Sequence, residues 1–466
     1  MAATGLIEME AAMKVIFAPA LHNNVVADSD FSDWFKSSSN VKTDETTGGR
    51  YIEHANRMRV SGGFRGTATG ATTTKDYIPE SDPPEFINPK VYLRKHTGTI
   101  EMDGDTMRRV KQGEGSWVTY LSSELPAFKD RVMSEYDRMW ISLGHGVKAR
   151  IANVTATVGG VAYTGGVSAN NTPSTGLFKI LVDRAFGVTG LTEAWTLFLE
   201  GERLVFTANF AAYPQTLKDP GATQSALVVD IDDVNGGLTL QGSNSLRAAL
   251  AANDYIGLGD KVGHSFPVSA SANREMQGVM AAIDDGTLVS TYHGIARSGR
   301  RLWNAVVVDG AANDFDGSLN EDLLEYGDDE LSRRGGGKIE ALCVSHSGIR
   351  SYRKSLKGDR VFNDPRSYTG GAKRKGLDII LGDRTINLRV ARKLPPEIAF
   401  GIMKKHWTRY TLGAFEWDDT TGSMWNRVTD STGRLDQFYA TAVMYEESYC
   451  EAPRRQVKFT NLRKVA

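Results

Sequence analysis

"LSSELPAFKDRVMSEYDRMWISLGHGVKARI", residues 121–151, is the most regular stretch of a 466-residue chain. Apolar side chains recur at Leu121, Leu125, Phe128, Val132, Tyr136, Met139, Trp140 and Leu143, in steps of three and four. That spacing puts them on one stripe of an α-helix of roughly seven turns. Lys129, Asp130, Glu135 and Arg138 fall off the stripe, and are expected to face away from the single sheet on which the helix packs. Ser116 or Ser122 is a candidate N-cap, Pro126 suits a first turn or a local kink, and Gly144 and Gly146 end the pattern. No heptad pattern continues past about three repeats, and no second helix of like length is evident, so the stretch reads as a structural spine over 117–143 rather than a coiled-coil strand.

Composition bounds what is built around that spine. The length calls for about two to four cores. Apolar residues at 41% and charged residues at 24% are those of a folded chain, and a formal net charge of -1 provides no global basic field for nucleic acid. The 48 glycines, with much Thr, Ala and Val, point to sheet and turns. Cys343 and Cys450 are isolated, which makes neither a metal site nor a disulfide framework, and a reducing compartment is expected. Glu8 and Glu10 stand where a signal peptide would carry basic residues, and no apolar run approaches the ~20 residues of a membrane span. A cytosolic product with no membrane partner is expected.

Along the chain, residues 1–50 read as a polar N-terminal arm. Residues 51–110 hold two extended segments around "SGGFRGTATGATTTKDYIPESDPPEFIN", a tip with little to build a core. The segment reads as a projecting hairpin that orders against something else. Residues 111–151 contain the spine. Residues 152–270 are short extended runs, including a hairpin signal at Asn235-Gly236, and read as an inserted β-rich module. Residues 271–316 return to the spine's domain. In 317–435 the texture is α/β: Ser318 and Glu321 form a capping-box pattern closed by Gly335, "KIEALCVS" is a buried strand, and Ser345 caps a second helix. Residues 436–466 are strands expected to close a sheet begun near the spine.

No catalytic constellation survives inspection. Asp314, Asp316 and Gly317 have the spacing of part of a calcium loop, but Ala312 and Leu323 occupy positions that need ligands. "RRGGGK" and "TGGAKRKG" lack the pattern of a phosphate-binding loop. The eight histidines are scattered, and His145 and His346 suit helix ends. Residues 352–376 carry eight Lys or Arg against two Asp, which reads first as a solvated loop or subunit contact. No cofactor and no metal are expected, and no enzymatic activity.

The order of these parts resembles a tailed-bacteriophage major capsid protein of the Hong Kong 97 fold, an α+β architecture here with an inserted β-rich domain. "GEGSWVTYLSSELPAFKDRVMSEYDRMWISLGHGVKARIANV" is similar to that family's spine helix. "QGVMAAIDDGTLVSTYHGIARSGRRLWNAVVVD", with Arg297 and Trp303, is similar to its return segment, and "YEESYCEAPRRQVKFTNL" to its closing strands. The resemblance implies that residues 51–110 lie over a neighbouring subunit, with Phe64, Arg65 and Lys75 as inter-subunit contact candidates near the tip. It makes Leu121, Leu125, Phe128, Val132, Tyr136 and Trp140 the spine-helix core, and 317–435 the axial domain. Hexamers and pentamers of the chain would form an icosahedral shell, made in the host bacterial cytoplasm, enclosing double-stranded DNA without sequence-specific binding. A separate scaffold protein, a portal and a decoration protein are the partners implied, and Lys75 is the candidate for an isopeptide crosslink such as some relatives form. Two alternatives stand beside it: an encapsulin-type nanocompartment shell, disfavoured by the length and the insertion, and a soluble β-rich hydrolase or binding protein, which would need a cluster of acids, bases or ligands.

Overall fold

The computed structural model describes residues 41–43, 51–59, 62, 83–104, 114–168, 176–209, 217–218, 225–259, 274–312, 315–355, 378–381, 384–419, 423, 425–430 and 433–464. The spine is the 28-residue helix Glu114–Ile141. It starts ahead of Ser116 and runs through Ser122 and Pro126, so neither serine is its cap and the proline is interior. Pro126 has no N–H for the carbonyl four residues back. The helix ends at Ile141 because Gly144 and Gly146 turn the chain at φ of 86° and 72°, which glycine adopts without a Cβ clash.

One side of the spine packs on a five-stranded sheet. Its centre is the 18-residue strand Gly433–Cys450. Arg94–Asp103 runs antiparallel along it, from Glu446↔Arg94 to Gln437↔Asp103, with no register shift. On the other flank lie Trp407–Trp417 and Asn426–Asp430, and Val41–Thr43 adds a parallel strand at Arg409–Thr411. Of the late strands, Gly433–Cys450 therefore joins a sheet with the strand just ahead of the spine, whereas Val457–Thr460 pairs elsewhere, with Val306–Asp309. Gly98 sets the approach of helix to sheet: a Cβ there would lie 2.7 Å from the Phe128 ring and 3.3 Å from Val132. Phe128 stacks on Trp417 with ring centroids 5.9 Å apart. Tyr136 and Trp140 are each 1% exposed and meet edge to face, while Phe128 and Val132 are half-buried against the same core. Leu121 and Leu125 lie on the helix, but their side chains are outside the described residues.

The other side of the spine faces the insertion, a closed antiparallel barrel. Its strands run in the ring order Leu177–Asp183, Gly237–Gln241, Ala226–Asp232, Arg203–Thr207, Tyr255–Leu258 and Val147–Ile151, which pairs back to Leu177–Asp183. Closure leaves the ring without an edge, and Phe178, Ile180, Leu204, Phe206, Leu238, Leu240 and Ile256 are buried among the barrel's residues. The hairpin at Asn235-Gly236 is present: Asp232 pairs with Gly237, its carboxylate accepts from the N–H groups of Val234 and Asn235 at 3.2 and 3.1 Å, and Gly236 takes φ 69°.

A six-stranded mixed sheet forms the third layer, in the order Val306–Asp309, Val457–Thr460, Ala399–Ile402, Ala341–Val344, Arg384–Val390, Asp378–Leu381. All of Ala341–Val344 is buried, as a central strand should be. Glu321–Gly335 packs on this sheet with Leu323, Leu324 and Leu331 inward. Its cap is Asn320, whose side chain accepts from Leu323 N–H at 2.9 Å, rather than Ser318, which lies two residues too early to reach that amide. Gly336, at φ 62°, closes the helix one residue later than Gly335. Ser345 does cap His346–Ser355, accepting from Gly348 N–H at 3.1 Å. Sheet pairing groups the chain differently from the sequence at three places. Val147–Ile151 belongs to the barrel rather than with the spine. Val306–Asp309 belongs to the six-stranded sheet. Trp407–Trp417 and Asn426–Asp430 belong to the sheet under the spine.

Candidate functional site

The hairpin leaves the body from a rigid root. Ile52–Glu53 pairs with Lys90–Val91, and Asn56–Arg59 with Glu85–Ile87. Val91 and Ile87 point into the core, at 0% and 6% exposure. Asn56 Nδ2 donates to Tyr449 Oη at 2.7 Å and to the Glu451 carbonyl at 3.1 Å. The His54 ring stacks on Tyr449 at 4.5 Å, and its Nε2 lies 2.6 Å from Tyr410 Oη. Burial, aided by Glu451, pushes the Tyr410 phenol up to about 12, so it remains a donor. Lys90 N–H donates to the His293 carbonyl at 3.1 Å. Within this root, Phe86 is 55% exposed. Two short strands bury too little to be stable alone in water. Phe64, Arg65 and Lys75 lie outside the described residues.

Behind the spine, charges meet rather than solvent. Arg138 donates through both terminal nitrogens to Glu275, at 3.0 and 2.7 Å, and through Nε to Glu135 at 2.7 Å. Lys148 Nζ sits between Glu135 (2.6 Å) and Glu202 (2.8 Å). Burial would raise the Glu135 carboxyl, but Lys148 and Arg138 hold it well below the usual carboxylate range. Burial, aided by the neighbouring Glu135 carboxylate, pushes Glu202 up to about 6, with Lys148 offsetting only part of the effect. Glu135 and Arg138 thus face away from the sheet, as expected, but into the barrel rather than solvent: Arg138 is 1% exposed. The apolar stripe marks only the sheet-facing side, and the barrel covers a second, polar side. Asp130 does remain exposed.

The return segment carries a second buried charge pair. Lys458 Nζ lies 2.6 Å from Asp284 Oδ1, and Asp284 Oδ2 accepts from the N–H groups of Gly286, Leu288 and Val289 at 2.9–3.1 Å. Arg297 donates to the carbonyls of Ala281 and Ala282, and its guanidinium lies 5.3 Å from the Tyr292 ring, which meets Trp303 at 5.8 Å. The sequence singles out Arg297 and Trp303 but not Asp284 or Lys458. The "DDG" turn signal at 284–286 marks Asp284 as a candidate turn acceptor.

Asp316 serves as a turn residue, its carboxylate accepting from Ser318 N–H at 2.9 Å. Asp314, and the basic stretch from residue 356 on, lie outside the described residues. Among the described residues, no group of three His, Cys, Asp or Glu could hold a metal, and no helix is long and apolar enough to cross a membrane. Cys343 and Cys450 are both buried. A cleft of about 1400 Å³ separates Arg94–Asp103 from the barrel, floored by the spine, and Glu135, Arg138, Glu202 and Glu275 are among its lining.

No protein-family model matches the chain, and no curated protein matches it. Among solved structures, it is similar to the cyanophage A-1(L) capsid asymmetric unit, at 9% identity over 91% of this chain and 90% of that one, with a TM-score of 0.44. It is similar to the capsid of Ralstonia phage GP4 at 12% identity, covering 94% and 92%, with a TM-score of 0.38. It is also similar to the capsid of a native GTA particle at 9% identity, covering 92% and 91%, with a TM-score of 0.38. Likeness at this level transfers no residue role.

Proposed function

We propose that the chain is a major capsid protein of a tailed bacteriophage, a structural subunit whose copies assemble as hexamers and pentamers into a shell around double-stranded DNA. The observation that carries this reading is the hairpin: its root is clamped to the body by Ile87, Val91, Asn56 and His54, yet Phe86, on the same strand as Ile87, stands outward. A ribbon built so is useful where a neighbouring copy covers it. The spine, gripped between a sheet and a barrel, makes each subunit a stiff panel. A net charge of -1 suits a wall around a polyanion that must slide in and out. In this reading a scaffold protein and a portal act during assembly in the host cytoplasm, a decoration protein is a further partner, and Lys75 is the candidate for any covalent seal.

Sedimentation and negative-stain microscopy of the full chain, expressed alone and with its neighbouring genes, test the reading. Closed shells, rings or tubes are expected. Phe86→Ser should leave the subunit's melting temperature within about 2 °C of wild type, since exposed sites cost little, and sharply lower particle yield. A monomer under every condition, or undiminished particles from Phe86→Ser, would overturn the reading or the hairpin's part in it, respectively.

A further inference from the structure

Three carboxylates and two cations close the junction between spine and barrel: Glu135, Glu202 and Glu275 against Arg138 and Lys148. Arg138 is committed to Glu275 and Glu135, and Lys148 is shared by Glu135 and Glu202. Lys393, whose charge acts on this cluster, donates Nζ to the Thr196 carbonyl at 2.7 Å. Arg131 donates to the Gly201 carbonyl at 3.2 Å. His145 is held neutral at neutral pH, pushed down to about 4 by burial and by Arg138. With every acid ionised, the five groups hold one negative charge too many. The deficit falls on Glu202, which is 0% exposed and whose Oε1 is buried with no hydrogen-bond partner among the described residues.

Two other buried carboxylates show the contrast. Asp284 has one lysine for one oxygen and three backbone N–H groups for the other. Glu446 takes Arg409 on one oxygen and the Tyr136 hydroxyl on the other. An unmatched ionised oxygen in so dry a place is costly.

We infer that Glu202 is a proton-binding site that latches the inserted barrel to the spine helix. A proton on Oε1 cancels the excess charge and leaves Oε2 to accept from Lys148, so the neutral form is the tight one. Ionisation loosens the contact. Glu135, which shares Lys148 with Glu202, is 15% exposed in the cleft along the spine, so a proton reaches the junction without unfolding the barrel. The inference goes beyond the shell reading and stands without it.

The direction follows from the carboxyl's position at about 6, above its ordinary 4.5. The folded junction takes up a proton as pH falls through 6. Its stabilisation is complete near pH 4.5 and is lost as pH rises. The 1.5-unit gap corresponds to a change of about 30-fold in the opening equilibrium of the junction. Hydrogen exchange on the full-length chain, corrected for intrinsic rates, reads this in peptides covering 131–141, 147–151 and 200–206. Between pH 7.5 and 5.0 protection there should rise about eight-fold, the remainder of the change lying below pH 5. Glu202→Gln, which imitates the protonated side chain, should show the pH 5.0 level already at pH 7.5 and no further change. Flat wild-type protection, or a Glu202→Gln chain that keeps the wild-type dependence, overturns the inference. So does a Glu202→Gln chain that fails to fold, because the neutral form must be the stable one. Shell formation with flat protection would reject the latch and leave the shell reading intact.

Discussion

Gly278 is where the return segment crosses the end of the spine, and its replacement by alanine gives a sharp test of the packing. Its N–H donates to the Ser142 carbonyl at 3.1 Å, and Ser142 Oγ donates to the Met276 carbonyl at 3.2 Å. At φ -76° and ψ -166° the backbone suits alanine as well as glycine. Loss of chain entropy in the unfolded state would then favour Gly278→Ala by about 0.4–1 kcal/mol. The space says otherwise. A Cβ would sit 2.2 Å from the Trp140 carbonyl oxygen, 2.5 Å from its carbon and 2.6 Å from the Met139 oxygen. These are backbone atoms of the last helical turn, pinned by the buried Trp140 indole and by Arg138 on Glu275. Reaching ordinary van der Waals separation needs a shift of about 1 Å. Overpacking costs about 1–3 kcal/mol where side chains can yield; with rigid obstacles the net cost should reach about 3 kcal/mol. That lowers the melting temperature by about 6–12 °C at 2–4 °C per kcal/mol. Calorimetry should include Gly237→Ala, whose Cβ meets nothing nearer than 3.5 Å and which should stay within about 1 kcal/mol of wild type. A Gly278→Ala chain that melts with the wild type would refute the contact.

Further outcomes follow from burial and charge. Trp140→Ala should destabilise the subunit by about 3–5 kcal/mol in urea unfolding, and Phe128→Ala by roughly half that, because Trp140 is enclosed and Phe128 is not; the opposite ranking would count against the spine packing described. His293 is pushed down to about 3 by burial, and its Nε2 lies 3.0 Å from the Ser448 carbonyl, an atom that can only accept, so that nitrogen carries the proton of a neutral ring. Its folded pKa lies below the unfolded value of about 6.5, so stability is lost as pH falls below 6.5, by about 2–3 kcal/mol at pH 4.5. His293→Asn keeps a residue that tolerates the local φ of 45° and should flatten that part of the melting-temperature profile relative to wild type. Equal slopes in the two chains would remove His293 from the acid response.

What sequence alone determined about this protein is what neighbours along the chain decide. The apolar stripe around Tyr136 and Trp140, the Asn235-Gly236 hairpin, the buried strand at Ala341–Val344 and the Ser345 cap each rest on periodicity or turn chemistry within a few residues. Those signals suffice for an α+β chain with a spine and an inserted β module. They also show that the 51–110 segment cannot hold its own core. Tertiary structure decided everything that needs two distant surfaces to meet. Only closure of Val147–Ile151 onto Leu177–Asp183 makes the insertion a barrel and claims a strand that reads as part of the spine. Only the barrel's position turns Glu135 and Arg138 from outward-facing charges into a buried network, and only the fold brings Lys458 to Asp284 or His54 to Tyr410. A helical period records which residues alternate in polarity, since burial of apolar area is local in its pattern. It holds no record of which polar face a later segment will cover, because that is settled by charges and shapes more than a hundred residues away.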